Sequence, residues 1–441
     1  VIKRSFVGGV HPFEGKHLTE KKKIEIFPAP QEVHIPLQQH LGAPTQPLVE
    51  KGEEVKVGQK IGAASGFVSS PIHSSISGKV KNIALIDHPV SGKGMAIIIE
   101  NDGNNTPKDS FQFDNKYPDF TVDQMKERIQ EAGVVGLGGA TFPTHVKLSP
   151  PSDKKLDVAI LNGAECEPYL TADHRLMLEY PEEILRGLQI IMKILGVNRG
   201  IIAVEKNKPD AVETLKRVAK SDPRIEIIVF PVKYPQGAEK QLIKASLNRE
   251  VPAGGLPMEV GVVVQNVGTA VAIFEAVAYQ KPLTHRVVTV TGSGIKQRKN
   301  LSVPIGTLFK EVIDYCGGLT QDAVKIIMGG PMMGIAQSTL QIPVVKGTSG
   351  ILILKEKESF LPQEEPCVNC GRCVEVCPMG LLPTTLQGLV NHERFIEADR
   401  LNIMSCIECG SCSYICPSNR YLVHAIRYGK RELLEKQKKA S

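Results

Sequence analysis

Two hydrophobic rhythms divide the chain. Over residues 113–284, nearly continuous apolar runs alternate with stretches in which apolar positions recur every three or four residues. The runs are "LDVAIL" (156–161), "GIIAVE" (200–205), "IEIIVF" (225–230) and "VGVVV" (260–264). Between them, a helix is predicted after Pro181 with Ile184, Leu185, Leu188, Ile191 and Leu195 on one stripe, another after Pro209, and a last one from about Ala270. Ahead of the first run, Thr121 and Gln124 are spaced to form a reciprocal cap on a helix with Val122, Met125, Ile129 and Ala132 on one face, and Gly133 closes it. Apolar runs of this kind suit strands buried on both faces, so the alternation predicts a doubly wound parallel sheet within an α/β multidomain chain. Ligands of such sheets sit beyond the carboxyl ends of the strands. Three loops stand there: "NGAECEP" (Asn162 to Pro168), "YPQGAEK" (Tyr234 to Lys240) and "QNVGT" (Gln265 to Thr269).

The second rhythm is shorter. From about residue 45 to 87, brief alternating runs bounded by Gly and Ser predict small antiparallel strands. Residues 287–330 read as a strand, "VVTVTG", a helix from near Pro304 to "YCGG", and a second strand, "KIIMGG". These shifts divide the chain into an N-terminal region (1–112), the α/β domain (113–284), a small module (285–345), a linker or strand (346–362) and a cysteine-rich domain (363–441).

A length of 441 residues predicts two to four domains, and 42% hydrophobic with 23% charged residues describes an ordinary soluble protein. The net charge of +6 is concentrated in Lys21 to Lys23 and in the C-terminal "KRELLEKQKKAS", which read as solvated faces. No aromatic interleaving points to nucleic acid. The N-terminus has no apolar core of signal-peptide length, and the most apolar stretch is broken by Gln265, Asn266, Thr269 and Glu275, so no membrane span is expected.

Eight of the ten cysteines lie in "CVNCGRCVEVCP" (from Cys367) and "CIECGSCSYICP" (from Cys406). C-x2-C-x2-C-x3-C-P is the spacing that wraps a [4Fe-4S] cubane, three thiolates coming from one run and the fourth from the other. The expected ligand sets are Cys367, Cys370, Cys373 and Cys416 for one cluster, and Cys406, Cys409, Cys412 and Cys377 for the second. Disulfides would require an oxidising compartment, and structural zinc needs only two C-x2-C hooks. Two clusters make this domain a one-electron wire.

Its electron source lies upstream. "VVGLGGATFPTHVKL" (Val134 to Leu148) clusters glycines that let backbone approach a flat ring or a phosphate. Cys166, between two glutamates, should have a raised pKa and read as a small loop residue. Cys316 reads as a buried thiol, Met332 and Met333 as packing residues, and His73 and His145 as satisfied histidines rather than ligands.

The segments "VEKGEEVKVGQKIG" and "SPIHSSISGKV" resemble the barrel-sandwich fold of biotinyl and lipoyl carriers, but Ser70, Pro71, Ile72 and His73 stand where the carrier lysine would be. Residues 115–330 resemble the flavin-bearing, NADH-oxidising subunit of respiratory complex I. The match rests on G-x-G-G-A-x-F-P-T-x-x-K from Gly136 to Lys147 and N-x-x-E-x-E-P at Asn162, Glu165, Glu167 and Pro168, and it includes a β-grasp, SLBB-like module. That family has arginines where Val135 and Leu137 stand, a further glutamate at Ala238 beside Glu239, and an aspartate at Ala164. The full order of carrier-like barrel, flavin-type sheet, β-grasp module and two-cluster ferredoxin-type helical domain resembles the C subunit of the Rnf (Rsx) electron-transport complex. The resemblance implies a peripheral subunit on the cytoplasmic face of the inner membrane, partnered by integral membrane subunits and a ferredoxin-like subunit, with NADH as substrate and FMN and two [4Fe-4S] clusters as cofactors. It further implies non-covalent FMN over Gly136, Gly138 and Gly139, with Asn162 and Glu165 at ribityl and ring edges, Asn266 and Thr269 at the phosphate, and Lys147 offsetting charge. Phe142 would stack, Glu167 and Glu239 would meet NADH, and Tyr234 and Gly237 would belong to the cofactor loop. A flavin-free wiring subunit and the diaphorase subunit of a soluble hydrogenase or formate dehydrogenase are the alternatives.

Overall fold

The structure, a computed structural model, describes residues 5–359 and 362–440, so the outermost residues of regions 1–112 and 363–441 lie outside the description. At its centre is a four-stranded parallel sheet in the spatial order Ile225–Phe230, Arg199–Glu205, Val158–Gly163, Val262–Asn266. The chain steps outward from Val158–Gly163 and then returns to its other side, which places the topological switch point between Val158–Gly163 and Val262–Asn266. On one face, Ala159, Leu161, Ile202 and Val263 pack against the helices Val122–Glu131, Pro181–Leu195, Pro209–Ala219 and Val267–Tyr279. On the other face, Val158, Ile160, Ile201 and Val264 meet Leu242 and Ile243 of Glu239–Leu247. Both faces are dry, which is why the runs show no alternation.

Local chemistry sets the boundaries. The Thr121 cap forms as expected, Gln124 N–H donating to Thr121 Oγ1 at 3.2 Å and Thr121 N–H to Gln124 Oε1 at 2.8 Å. The last helix starts at Val267, not Ala270, because the Asn266 side chain accepts from Gly268 N–H at 2.7 Å and caps it. The first strand begins at Val158, two residues later than expected, because its two neighbours begin opposite that residue, at Arg199 and Val262.

The N-terminal region holds a four-stranded antiparallel sheet and a three-stranded sheet around Val33, Ile35, Ile61, Ile72, Val80, Ile97 and Ile99, the expected barrel-sandwich. The β-grasp module is larger than its sequence pattern suggests. Its six-stranded mixed sheet runs Ile24–Ile26, Lys299–Pro304, His285–Thr291, Gly350–Lys355, Ala323–Met328, Ile335–Gln337. Pro304 closes a strand paired with His285, so the helix begins at Phe309 rather than near Pro304, and it ends beside the fully buried Cys316. Two short helices, Arg372–Glu375 and Ser411–Tyr414, carry the third cysteine of each motif, and Pro383–Asn391, Phe395–Arg400 and Leu422–Ala440 pack around Leu386, Val390, Ala398, Ile403 and Ile426.

Candidate functional site

Asn162 and Asn266 are register partners at the carboxyl ends of adjacent parallel strands, on either side of the switch point. Asn162 Nδ2 donates to Gly237 O at 2.8 Å, and Asn266 Nδ2 donates to Asp173 Oδ2 at 2.7 Å. Three of the loops singled out in the sequence therefore converge on one crevice. The glycine loop closes it: a Cβ on Gly138 would lie 2.6 Å from Asn266 Nδ2, whereas one on Gly139 would meet open space. Leu137 fixes the loop from beneath, its N–H donating to Thr269 Oγ1 at 2.9 Å and its carbonyl accepting from Arg286 Nη2 at 2.7 Å. Val135 and Leu137, which stand where the resemblance led arginines to be expected, are buried in the core.

The loop after the first strand is held by two buried lysines that sequence reasoning missed. Lys16 Nζ donates to the carbonyls of Glu165, Glu167 and Leu170 at 2.8, 3.0 and 2.6 Å, and Lys208 Nζ to Ala164 O at 2.6 Å. The backbone bends to present those carbonyls, with positive φ at Glu165 and Tyr169. Glu165 is nearly buried and accepts from Asp173 N–H at 2.7 Å and His174 N–H at 3.3 Å, capping Ala172–Glu179. Burial first, then the Glu165 carboxylate, hold the Asp173 carboxyl up at about 6. No local signal marks Lys16, whose partners lie in a distant loop; Lys208 also lies 3.7 Å from Glu205, three residues earlier, so only its contact with Ala164 O is hidden from the sequence.

The remaining predicted residues divide between the crevice and a domain contact. Lys147 Nζ meets Glu239 Oε1 at 2.5 Å across the mouth, so its charge is compensated within the chain. Phe142 is half-buried and its carbonyl accepts from Gly136 N–H at 2.9 Å. Glu167 faces the β-grasp module, accepting from the N–H groups of Met332 and Met333 at 2.7 and 2.9 Å, and burial raises its pKa. Tyr234, joined to Pro235 by a cis peptide, points its hydroxyl at Cys409 O, 2.8 Å away. The Cys166 thiol accepts from Gly237 N–H at 3.1 Å, and its pKa is raised as expected, although burial is the main cause and Glu205 outweighs Glu167. His73 and His145 are buried, each with Nδ1 unpartnered, so they are less satisfied than the sequence suggests, and Met333 is exposed while Met332 packs.

Cys377, Cys406, Cys409 and Cys412 line one cavity together with Leu381, Val423 and Ile426. Cys373, Cys412 and Cys416 share an apolar cluster with Leu422 and Val423, while Cys367 and Cys370 are exposed. Among the described residues no group of three His, Cys, Asp or Glu side chains converges on a point suited to a single ion. Thiols spread around a cavity suit a polynuclear cluster, which is wider than a zinc ion. The crevice likewise fits FMN: side-chain-free backbone at its mouth, neutral amide and hydroxyl donors, and buried amide atoms of Gln236 and Gln265 with no protein partner.

A parallel-sheet crevice of this kind beside a two-motif cysteine domain defines an electron-transfer oxidoreductase. Family profiles match in the same chain order: the RnfC barrel sandwich hybrid domain (residues 4–104), the Nuo51 FMN-binding domain (129–275), the SLBB domain (287–336) and a 4Fe-4S dicluster domain (361–417). The chain is 52% identical over 430 residues to the C subunit of the proton-translocating ferredoxin:NAD(+) oxidoreductase complex of Clostridium ljungdahlii, covering 97% of this chain and 94% of that protein. It is 46% identical over 437 residues to the Na(+)-translocating counterpart of Acetobacterium woodii, covering 99% of each chain. With the C subunit of the ion-translocating oxidoreductase complex of Rhodobacter capsulatus it shares 42% identity over 441 residues, 98% of this chain and 84% of that one. The chain belongs to the RnfC family, the C subunits of the Rnf ion-translocating ferredoxin:NAD(+) oxidoreductase complexes. It is an NADH-oxidising electron-transfer subunit whose cofactors are FMN and two [4Fe-4S] clusters. No described helix is long and apolar enough to cross a membrane, in keeping with a peripheral member of a membrane-associated complex.

Proposed function

We propose that the crevice between Asn162 and Asn266 is where this protein binds FMN non-covalently and meets NADH. The register pairing of those two asparagines under Gly138 carries the reading, because it brings the ends of two strands, each amide held by its own loop, to the switch point, where Gly138 lies against Asn266 with no side chain between them. When bound, FMN supplies the exchange of a two-electron donor for single electrons. The chain's own work is placement. Gly136, Gly138 and Gly139 offer backbone to the ring, and Asn162 and Asn266 offer polar edges, while Thr269 holds the loop from below through Leu137. Phe142 borders the loop as a stacking surface for nicotinamide. The compensated Lys147–Glu239 pair can rearrange toward a phosphate or a ribose without leaving a buried charge, since both groups are partly exposed. Glu165, Glu167, Tyr234 and Gly237 support the loops around the opening.

For the clusters, the cavity lining supports assigning Cys377, Cys406, Cys409 and Cys412 to one cluster, which leaves Cys367, Cys370, Cys373 and Cys416 for the other. The protein would work on the cytoplasmic face of the inner membrane, anchored by integral membrane subunits and delivering electrons toward a ferredoxin-like subunit. Its relatives' names specify protons in one case and sodium in another, so likeness within this family does not choose the ion. Anaerobic purification followed by iron, sulfide and released-flavin analysis tests the reading. Flavin that NADH bleaches is expected; clusters without FMN, and no bleaching after flavin is added back, would overturn it.

A further inference from the structure

The two cysteine sets are not equivalent in their surroundings. Contacts from the rest of the chain converge on the stretches that flank Cys377 and Cys409. Tyr234, 2% exposed, donates its hydroxyl to Cys409 O at 2.8 Å, with the Glu167 carboxylate beside the same phenol. The N-terminal strap runs between: Val10 and Tyr234 exchange backbone hydrogen bonds at 2.8 and 2.9 Å, and Gly9 N–H donates to Val376 O at 2.8 Å. Only glycine fits in that strap. A Cβ on Gly8 would lie 2.8 Å from Val376 O and 2.9 Å from Cys377 C, one on Gly9 would lie 2.6 Å from Tyr234 O, and both have positive φ. Gln241 Nε2 reaches Pro378 O at 3.2 Å, and Met332 packs with Tyr234 and Cys409. By contrast, Cys367 and Cys370 are exposed, and Val368 between them is 66% exposed.

The loop that ends in this contact begins at the crevice. Asn162, at the switch point, holds Gly237 O, three residues from Tyr234. One short loop thus ties the crevice to the backbone of a cysteine in the inner set.

We propose that Tyr234 is a positioning residue for electron transfer between domains: its hydrogen bond to the Cys409 carbonyl seats the Cys377, Cys406, Cys409 and Cys412 set against the flavin crevice as first acceptor, leaving the exposed Cys367 and Cys370 set to face an outside acceptor. The tyrosine moves neither an electron nor a proton. It holds an orientation, and it sets the polarity next to one ligand. The inference rests on the flavin and cluster readings above.

The test uses the full chain, purified anaerobically with its cofactors, and the variant Tyr234→Phe. A redox titration followed by electron paramagnetic resonance needs no flavin. In it, one cluster midpoint is expected to move to more negative potential, because a hydrogen bond near a cluster stabilises its reduced state, while the other midpoint stays. Rapid mixing with NADH should show cluster reduction slowed about tenfold relative to flavin bleaching followed in the same sample. Should Tyr234→Phe fail to hold its clusters, Gln241→Leu removes the neighbouring contact to Pro378 and should slow cluster reduction in the same direction. Both midpoints and both rates unchanged, or a shift confined to the cluster lacking Cys409, overturns the proposal. If NADH does not bleach the unaltered chain, the flavin reading falls, while the titration still decides whether Tyr234 acts on the inner cluster.

Discussion

Asn162 and Asn266 stand opposite each other at the ends of two strands that are neighbours in the sheet yet separated in sequence by two intervening strands. Their pairing places two polar side chains at the reversal of strand order, and Gly138 packs against Asn266 so closely that only a residue without a side chain fits there.

Gly138→Val should empty the crevice. Its Cβ would collide with Asn266 Nδ2, so FMN released by acid precipitation is expected to fall at least tenfold, about 1.4 kcal/mol or more of binding, with iron content unchanged. Gly139→Ala meets no protein atom within 4 Å and should leave thermal stability unaltered, so any flavin it loses reports contact with the ligand itself.

Thr269→Val removes the acceptor of Leu137 N–H. A buried donor left without a partner costs about 1–3 kcal/mol, to be read by denaturant unfolding monitored at the α/β domain. An unchanged midpoint would mean that the glycine loop is not anchored there.

Glu239→Gln breaks a partly exposed ion pair with Lys147. Such pairs contribute roughly 0–1 kcal/mol, so stability should hardly change, while KM for NADH rises severalfold and kcat is nearly kept. Equal losses in both constants would remove Glu239 from substrate binding.

Cys377→Ala should abolish the cluster held mainly by the second motif, although Cys377 belongs to the first. Roughly half the iron should be lost, and the surviving resonance signal should be the one that Cys416→Ala removes. If the signal that Cys377→Ala removes is the one lost with Cys370→Ala instead of the one lost with Cys412→Ala, the crossed ligand sets are wrong.

Acid should loosen the seat of the barrel-sandwich domain. Burial first, and then the Lys346 ammonium, hold the His40 pKa down at about 4, below an ordinary value of 6.5. Its surroundings are Lys346, His145, the Ala43 carbonyl and the Ser70 N–H. Between those two pH values the unfolded chain binds the proton and the folded chain does not, so stability falls as pH drops from 6.5 to 4. His40→Gln should lose less stability than the parent across that window in chemical denaturation. A slope equal to the parent's would acquit His40.

Much of this was legible in the chain. The parallel strands and their helices could be read because burial on both faces leaves apolar runs, and the Thr121 cap because its partners are three residues apart. The dicluster domain could be read from the spacing of its two four-cysteine motifs, because three thiols of a cubane come from one tight loop. Lys16 and Arg286 were not legible, and neither was the reach of Lys208 to Ala164 O: each of these contacts ends on a backbone carbonyl of a remote loop, and a carbonyl carries no residue identity. The strand Ile24–Ile26 was hidden for a similar reason, as three residues have too few positions to show a period, and only their pairing with Asn300, Leu301 and Ser302 makes them a strand.

By itself, then, the order of residues determined the domain types, the two cubane-type motifs and the three loops at the strand ends, because each is written in local periodicity or spacing. Tertiary structure alone decided that Asn162 faces Asn266, that Tyr234 turns from the crevice to Cys409, and that Cys409 and Cys412 are enclosed while Cys367 and Cys370 reach the surface. Those outcomes depend on which distant surfaces exclude water together, and no local stretch of sequence carries that information.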